Sequence, residues 1–316
     1  MSLHRRNWVL LAVVVVCFGL ELLLRPDKAP PIDRTPVFEG LNPRVVQRLR
    51  IEAPGTDRPL VLERVDNAWV LSSQHGFPAH TWVVEDLLSR LRGLNHSDRV
   101  SDDAGAALLF GFDGSERSIT IEGEGARMLA QLHVAPGPQG RGSHVRPLNH
   151  PDIYRAPAIA LVEPDPKRFV KADLFEFDPA LLKSIELELA SEETLARVER
   201  VGDGRWRKAS GELLSPAKLD PLIAWASHLY LQEVVAAAPV AAHGIHNREE
   251  GGSWARLRLV LEDGERELLL GNARPATEGG LGERYATCST WDTPWVVTVS
   301  PLTAERLSQL ARALAR

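Results

Sequence analysis

Apolar and polar residues alternate in two stretches of the chain that lie far apart. Leu49 and Ile51 are interleaved with charges in RLRIE, and Ile185 and Leu187 in SIELE. Alternation with a period of two predicts strands with one buried face. The segments after these two stretches are also alike. Glu63-Arg64-Val65 recurs as Glu199-Arg200-Val201, and each triplet leads through a turn to a tryptophan, in DNAW ending at Trp69 and GDGRW ending at Trp206. Asp-Asn and Gly-Asp-Gly between apolar runs are hairpin turns. The period then changes. Val84, Leu87, Leu88, Leu91 and Leu94 recur at helical spacing, and Leu219, Leu222, Ile223, Ala226 and Leu229 match them one for one. These spacings predict an amphipathic helix in each half, the second starting with Ser215 as cap and Pro216 as first residue.

Further along, Phe110-Gly111-Phe112 corresponds to His243-Gly244-Ile245. Strand-like runs come next at 118–122 and 258–262, and then His144-Val145-Arg146 against Arg284-Tyr285-Ala286. So many matches in one order predict a tandem duplication. Each copy reads as strands clustered around one main helix, with Trp69 and Trp206 as anchors that close a hairpin onto it. The expected fold class is therefore α+β, with mostly antiparallel sheet in two repeats. A helix over 303–314 closes the chain.

The first residues have a different pattern. Residues 8–24 read WVLLAVVVVCFGLELLL, with Glu21 as the one charge. That run predicts a transmembrane helix of about 25 Å, with Trp8 at one interface. A cleaved signal peptide fits less well, because bulky and then charged residues come after the run where a small-residue site is needed. Arg5 and Arg6 precede it while Arg25, Lys28 and Arg34 come after, so charge bias leaves the orientation open. A short tail before a long domain favours an extracytoplasmic C-terminal region. Four prolines in residues 25–36 predict an extended stalk. The expected organisation is a cytoplasmic tail and transmembrane helix (1–24), a stalk (25–40), a first repeat (41–170) and a second (171–316).

Composition narrows the partners. Hydrophobic residues make up 44% and charged residues 25%, which is the balance of a folded protein and not of a disordered one. The formal charge is −5; Arg5, Arg6 and Arg25 against Glu21 leave the first 25 residues at +2 and the rest at −7. An acidic body excludes a nucleic-acid partner, which needs an excess of Lys and Arg on one face. Cys17 and Cys288 are the two cysteines. They exclude a disulfide scaffold and a cysteine-based zinc site.

Candidate chemistry is sparse. Ser215-Pro-Ala-Lys218 matches S-x-x-K, in which a lysine activates a serine at a helix start, but no K-T-G triplet accompanies it and Ser215 is explained as a cap. His243 and His246, with Glu249 or Glu250, offer nitrogen and oxygen ligands; His144, His150 and Asp152 form a looser set. Both read first as polar loops. The glycine-rich stretches at 137–142 and 279–282 lack the strand-to-helix setting of phosphate loops and read as hairpin loops at equivalent places in the copies. No catalytic, cofactor-binding or metal-ligating residue is assigned, and no cofactor is expected.

The hairpin ending in Trp69, the helix from Val84 to Leu94, the Phe110-Gly111-Phe112-Asp113 element and the His144-Val145-Arg146 strand resemble domain-of-unknown-function family 4340. The resemblance covers most of residues 40–310, in two copies, plus the N-terminal anchor. It implies a membrane-anchored extracytoplasmic protein associated with ABC-2-type export or gliding-motility transport components, and brings no catalytic residues. The chain departs from the pattern at Gly114 and Ser115, where a proline is common, and at His243 and His246 around the second glycine. The expected function is thus a non-catalytic binding or scaffolding subunit in a bacterial inner membrane, auxiliary to an ABC-type permease or ATPase. The alternative is a membrane-tethered envelope hydrolase or metal-dependent enzyme.

Overall fold

The computed structural model describes residues 33–315 except 57, 138–141, 157–163, 174–176, 190–193, 203, 246–252 and 276–281, together with residue 14. Eighteen described strands form two antiparallel sheets of nine. The first contains β1 (Val46–Glu52), β2 (Leu60–Val65), β3 (Ala68–Leu71), β4 (Phe77–Pro78), β5 (Arg99–Ser101), β6 (Arg117–Gly123), β7 (Met128–Pro136), β8 (Ser143–Pro147) and β9 (Ile153–Ala156). The second contains β10 (Leu182–Leu189), β11 (Thr194–Arg200), β12 (Trp206–Lys208), β13 (Leu213–Leu214), β14 (Leu231–Ala236), β15 (Ala255–Leu261), β16 (Glu265–Ala273), β17 (Arg284–Cys288) and β18 (Val296–Val299). Their spatial orders are β4-β3-β2-β1-β6-β7-β8-β9-β5 and β13-β12-β11-β10-β15-β16-β17-β18-β14. Adding nine to every label of the first order gives the second, so the chain is a tandem duplication of one topology.

Helices make the long jumps. Helix α1 (Thr81–Arg92) joins β4 at one edge of its sheet to β5 at the other, and α2 (Pro216–Ala226) joins β13 to β14 in the same way. On α1, Val84, Leu87, Leu88 and Leu91 are buried, a stripe at helical spacing that turns inward. The second unit carries one more helix, α3 (Pro301–Ala315), which lies against β10 and β11 and buries Ala304, Leu307, Leu310, Ala311 and Leu314.

Each sheet has one dry and one wet face. In β15, Ala255, Leu257, Leu259 and Leu261 are buried and alternate with half-buried Arg256, Arg258 and Val260. Arg256 pairs with Glu267 and Arg258 with Glu265 across the wet face, and Arg48 pairs with Glu63 on the first sheet. Such exposed pairs add about 0–1 kcal/mol each; the buried apolar face supplies most of the stability. The duplication reaches single hydrogen bonds. Asn42 and Asp178 each cap a 3-10 turn that opens with proline, accepting from Arg44 N–H and Ala180 N–H. Arg64 donates to the Arg44 carbonyl and Arg200 to the Ala180 carbonyl.

The strand register corrects two of the sequence alignments. Ile119 lies opposite Ile51 as Leu257 lies opposite Leu187, so Ser118 is equivalent to Arg256 and not to Arg258. Val134 faces Val145 as Leu270 faces Ala286, so His144 is equivalent to Tyr285 and not to Arg284. Loop lengths differ between the copies, and ordering motifs along the chain does not reveal where a residue has been gained. Among the described residues no helix is long and apolar enough to cross a membrane. The predicted transmembrane helix, apart from residue 14, and residues 25–32 of the stalk lie outside them.

Candidate functional site

A concavity lies where the two units meet. The edge strand β4 of the first sheet puts Phe77 against Trp291 and Trp295, both in the loop between β17 and β18 of the second. The ring centroids are 5.3 Å and 5.1 Å apart with edge-to-face tilts, and the two tryptophans stand 6.2 Å from each other. Such geometry adds about 0.5–1.5 kcal/mol per pair beyond area burial. Trp295 is buried, so its Nε1–H needs an acceptor, and it donates to the His75 carbonyl at 2.9 Å.

The chain between the repeats is tied to both. His80 N–H donates to the Phe169 carbonyl and Lys171 N–H to the Pro78 carbonyl, while Leu231 N–H donates to the Ala172 carbonyl. Phe169 and Val170 are buried in the one core cluster that runs through both units. Pro164, Pro166 and Pro179 bracket this junction, and these bonds and buried side chains hold the described part of it to both sheets.

The resulting cleft has a volume of about 600 Å³, lined by the aromatic trio, Pro78, Lys171, Asp173, Glu265, Arg266, Ser289, Thr290 and Asp292. Arg266 is paired with Asp263 at 3.0 Å and Glu265 with Arg258 at 2.6 Å. Ser289 is held by accepting from the Glu267 N–H. Beneath the cleft Cys288 is buried, which pushes its thiol above the usual range, and its Sγ lies 3.0 Å from Thr290 Oγ1. A buried, protonated thiol is a packing group and not a nucleophile.

A second cluster of titratable groups sits at the β5–β9 edge of the first sheet. Tyr154, buried, donates its hydroxyl to Asp152 Oδ2 at 3.1 Å; His96 Nδ1 lies 3.1 Å from the same hydroxyl. With the phenolic hydrogen engaged on Asp152, Nδ1 of His96 is the donor of that contact. Arg99 and His150 approach Asp152 at 3.4 Å and 3.6 Å. Burial, with the bond to Asp152 as the next cause, pushes Tyr154 up to about 12. The network fastens the incoming chain to the sheet edge, where His96 N–H also donates to the Thr35 carbonyl.

The sequence candidates fare unevenly. His150 and Asp152 do come together, but His144 stands apart from them against Phe110, its Nδ1 3.0 Å from the Phe110 carbonyl. Ser215 occupies the N-cap of α2 with extended backbone, yet its side chain makes no capping bond; the side chain of Lys218 is not among those described. His243 is buried, which holds its imidazole below the usual value, and its Nδ1 accepts from Val240 N–H at 3.1 Å. His246, Glu249 and Glu250 lie outside the described residues, among which no group of three metal-ligating side chains occurs. The glycine-rich stretches join β7 to β8 and β16 to β17, strands that pair antiparallel. Sequence reasoning missed Trp291, Trp295 and the Tyr154 network. The only local signal for the tryptophans was their spacing within TWDTPW, which has no periodic meaning.

These features define a class: a tandemly duplicated antiparallel-sheet protein whose units meet around an aromatic-walled cleft. The chain belongs to the family described as Domain of unknown function (DUF4340), whose model matches residues 69–248, more than half of its length. The match begins at the hairpin tryptophan of the first repeat and ends just beyond Gly244 of the second, and so spans the junction. Neither the curated proteins nor the solved structures gave a match.

Proposed function

We propose that the protein is a non-catalytic binding or scaffolding subunit, anchored in a bacterial inner membrane by residues 8–24, with both repeats outside the cytoplasm and working beside an ABC-type transport complex. The observation that carries the reading is the duplicated sheet with its firmly joined units. It is a platform with two charged outer faces and hairpin loops repeated at equivalent places. Such loops and sheet edges are natural contact surfaces. The apolar run WVLLAVVVVCFGLELLL and the proline-rich segment behind it support a tether and spacer. The family resemblance supports the transport setting.

The test is a mild-detergent pull-down of the tagged full-length chain from its native membrane, with mass spectrometry of what co-purifies. Recovery of a permease or ATPase that disappears when residues 1–24 are deleted is the expected result. Recovery of the chain alone, or of the chain in the soluble fraction with its N-terminal run intact, would sink the reading.

A further inference from the structure

The junction cleft has two unlike walls. One is aromatic: Trp291, only half buried, is backed by Phe77 and Trp295, which are both buried. The other is polar and carries both signs, with Lys171 and Asp173 from the junction and Asp292 from the β17–β18 loop. No side-chain hydrogen bond or ion pair occupies Asp173 or Asp292 among the described residues, whereas the neighbouring Arg266 and Glu265 are engaged within the sheet. The two carboxylates are therefore available acceptors beside an apolar wall.

We infer that this cleft binds a short stretch of neutral saccharide. A pyranose ring presents a face of C–H groups and a rim of hydroxyls, each of which both donates and accepts. The partly exposed Trp291 ring matches the face, and the carboxylates accept charge-assisted hydrogen bonds from the rim. Other chemistries fit worse. An anion meets two available carboxylates. A wholly apolar ligand strips water from those groups and returns no hydrogen bond. The cleft's 600 Å³ falls within the ~300–1,000 Å³ of ordinary ligand sites. This function is additional to the scaffold reading and independent of it: the pull-down tests partners, and a saccharide titration tests the cleft.

The full-length chain, kept in a detergent without a sugar headgroup, is titrated with short chito-, malto- and cello-oligosaccharides. Intrinsic tryptophan fluorescence and calorimetry are the readouts. The expected result is saturable binding of at least one series, weakened ~10-fold or more by Trp291→Ala and by Asp173→Asn. Trp82→Ala, which removes an exposed tryptophan that does not line the cleft, leaves it unchanged. If Trp291→Ala lowers the melting temperature, Asp292→Asn, at an exposed position, provides the same reading with the aromatic wall intact. The inference is overturned if no series gives a saturable signal, if the cleft variants bind as the parent does, or if trilysine saturates the site and the saccharides do not.

Discussion

At the bend that precedes the central hairpin, each repeat presses an imidazole against an aromatic ring, in opposite order. In the first, Phe110 stands against His144 of β8, with centroids 5.0 Å apart and planes at 88°. In the second, His243 stands against Tyr285 of β17, at 4.7 Å and 52°. The positions are equivalent, since Gly111 and Gly244 come next with positive φ in both and His144 and Tyr285 share one register. The duplication has kept the shape of this contact and exchanged its chemistry between strands. The backbone beneath it has not stayed the same. Ala135 in the first repeat corresponds to Gly271 in the second, and only the first leaves room for a methyl group. A Cβ on Gly271 would fall 2.0 Å from the His243 carbonyl oxygen. A planar pair packs in either order, whereas two backbones in van der Waals contact leave one choice of residue.

The largest effect expected from breaking this comparison comes from that glycine. Gly271→Ala should destabilise the protein by roughly 4 kcal/mol, because the atoms it meets are backbone and cannot step aside. Ala135→Gly, its mirror in the first repeat, should cost only about 1 kcal/mol. Chemical denaturation of the two variants decides the matter, and equal losses would contradict the equivalence.

Next in size is the joint between the units. Trp295→Ala removes a buried ring, its contact with Phe77 and its bond to the His75 carbonyl. A loss of about 3 kcal/mol is expected, together with a split of one cooperative unfolding transition into two. A single sharp transition in calorimetry would show that the two sheets are joined by other contacts.

The exchanged imidazole predicts a pH effect in the second repeat. Burial lowers the folded-state value of His243 from its ordinary 6.5, and its Nδ1 accepts a bond that a protonated ring cannot accept. A group depressed on folding contributes stability that is present above its unfolded value and lost as pH falls through the folded one. Stability should therefore decline on acidification below about 6.5, the unperturbed histidine value. His243→Phe, which copies Phe110, should flatten that decline, since exposed Val240 finds water as acceptor. A decline of unchanged slope in the variant would remove His243 as its cause.

The smallest effect separates the two arginines that clamp the repeat openings. Arg200 reaches the Ala180 carbonyl at 2.8 Å, and Arg64 reaches those of Arg44 and Pro43 at 3.3 Å and 3.4 Å. Substitution by alanine should cost about 1 kcal/mol at Arg200 and less at Arg64, resolved by paired denaturant titrations. The reverse order would show that the two longer hydrogen bonds of Arg64, with its stacking over Trp69 at 5.0 Å, outweigh the one short bond of Arg200.

By itself the sequence determined the elements and their duplication. Residues Leu49 and Ile51, Val84 to Leu91, the turn before Trp69 and their counterparts are read from neighbours a few positions away. Period and turn chemistry are local properties, and these signals placed two sheet-and-helix units in order. Only the tertiary structure decided the register from β6 onward, the separation of His144 from His150 and Asp152, and the meeting of His96 with Tyr154. It also decided the cleft, whose Trp295-to-His75 bond joins residues 220 positions apart. Contacts at such separation arise from how the units pack and from loop lengths that differ between the copies. No spacing along one chain encodes either, because each depends on the shapes of both partners at once.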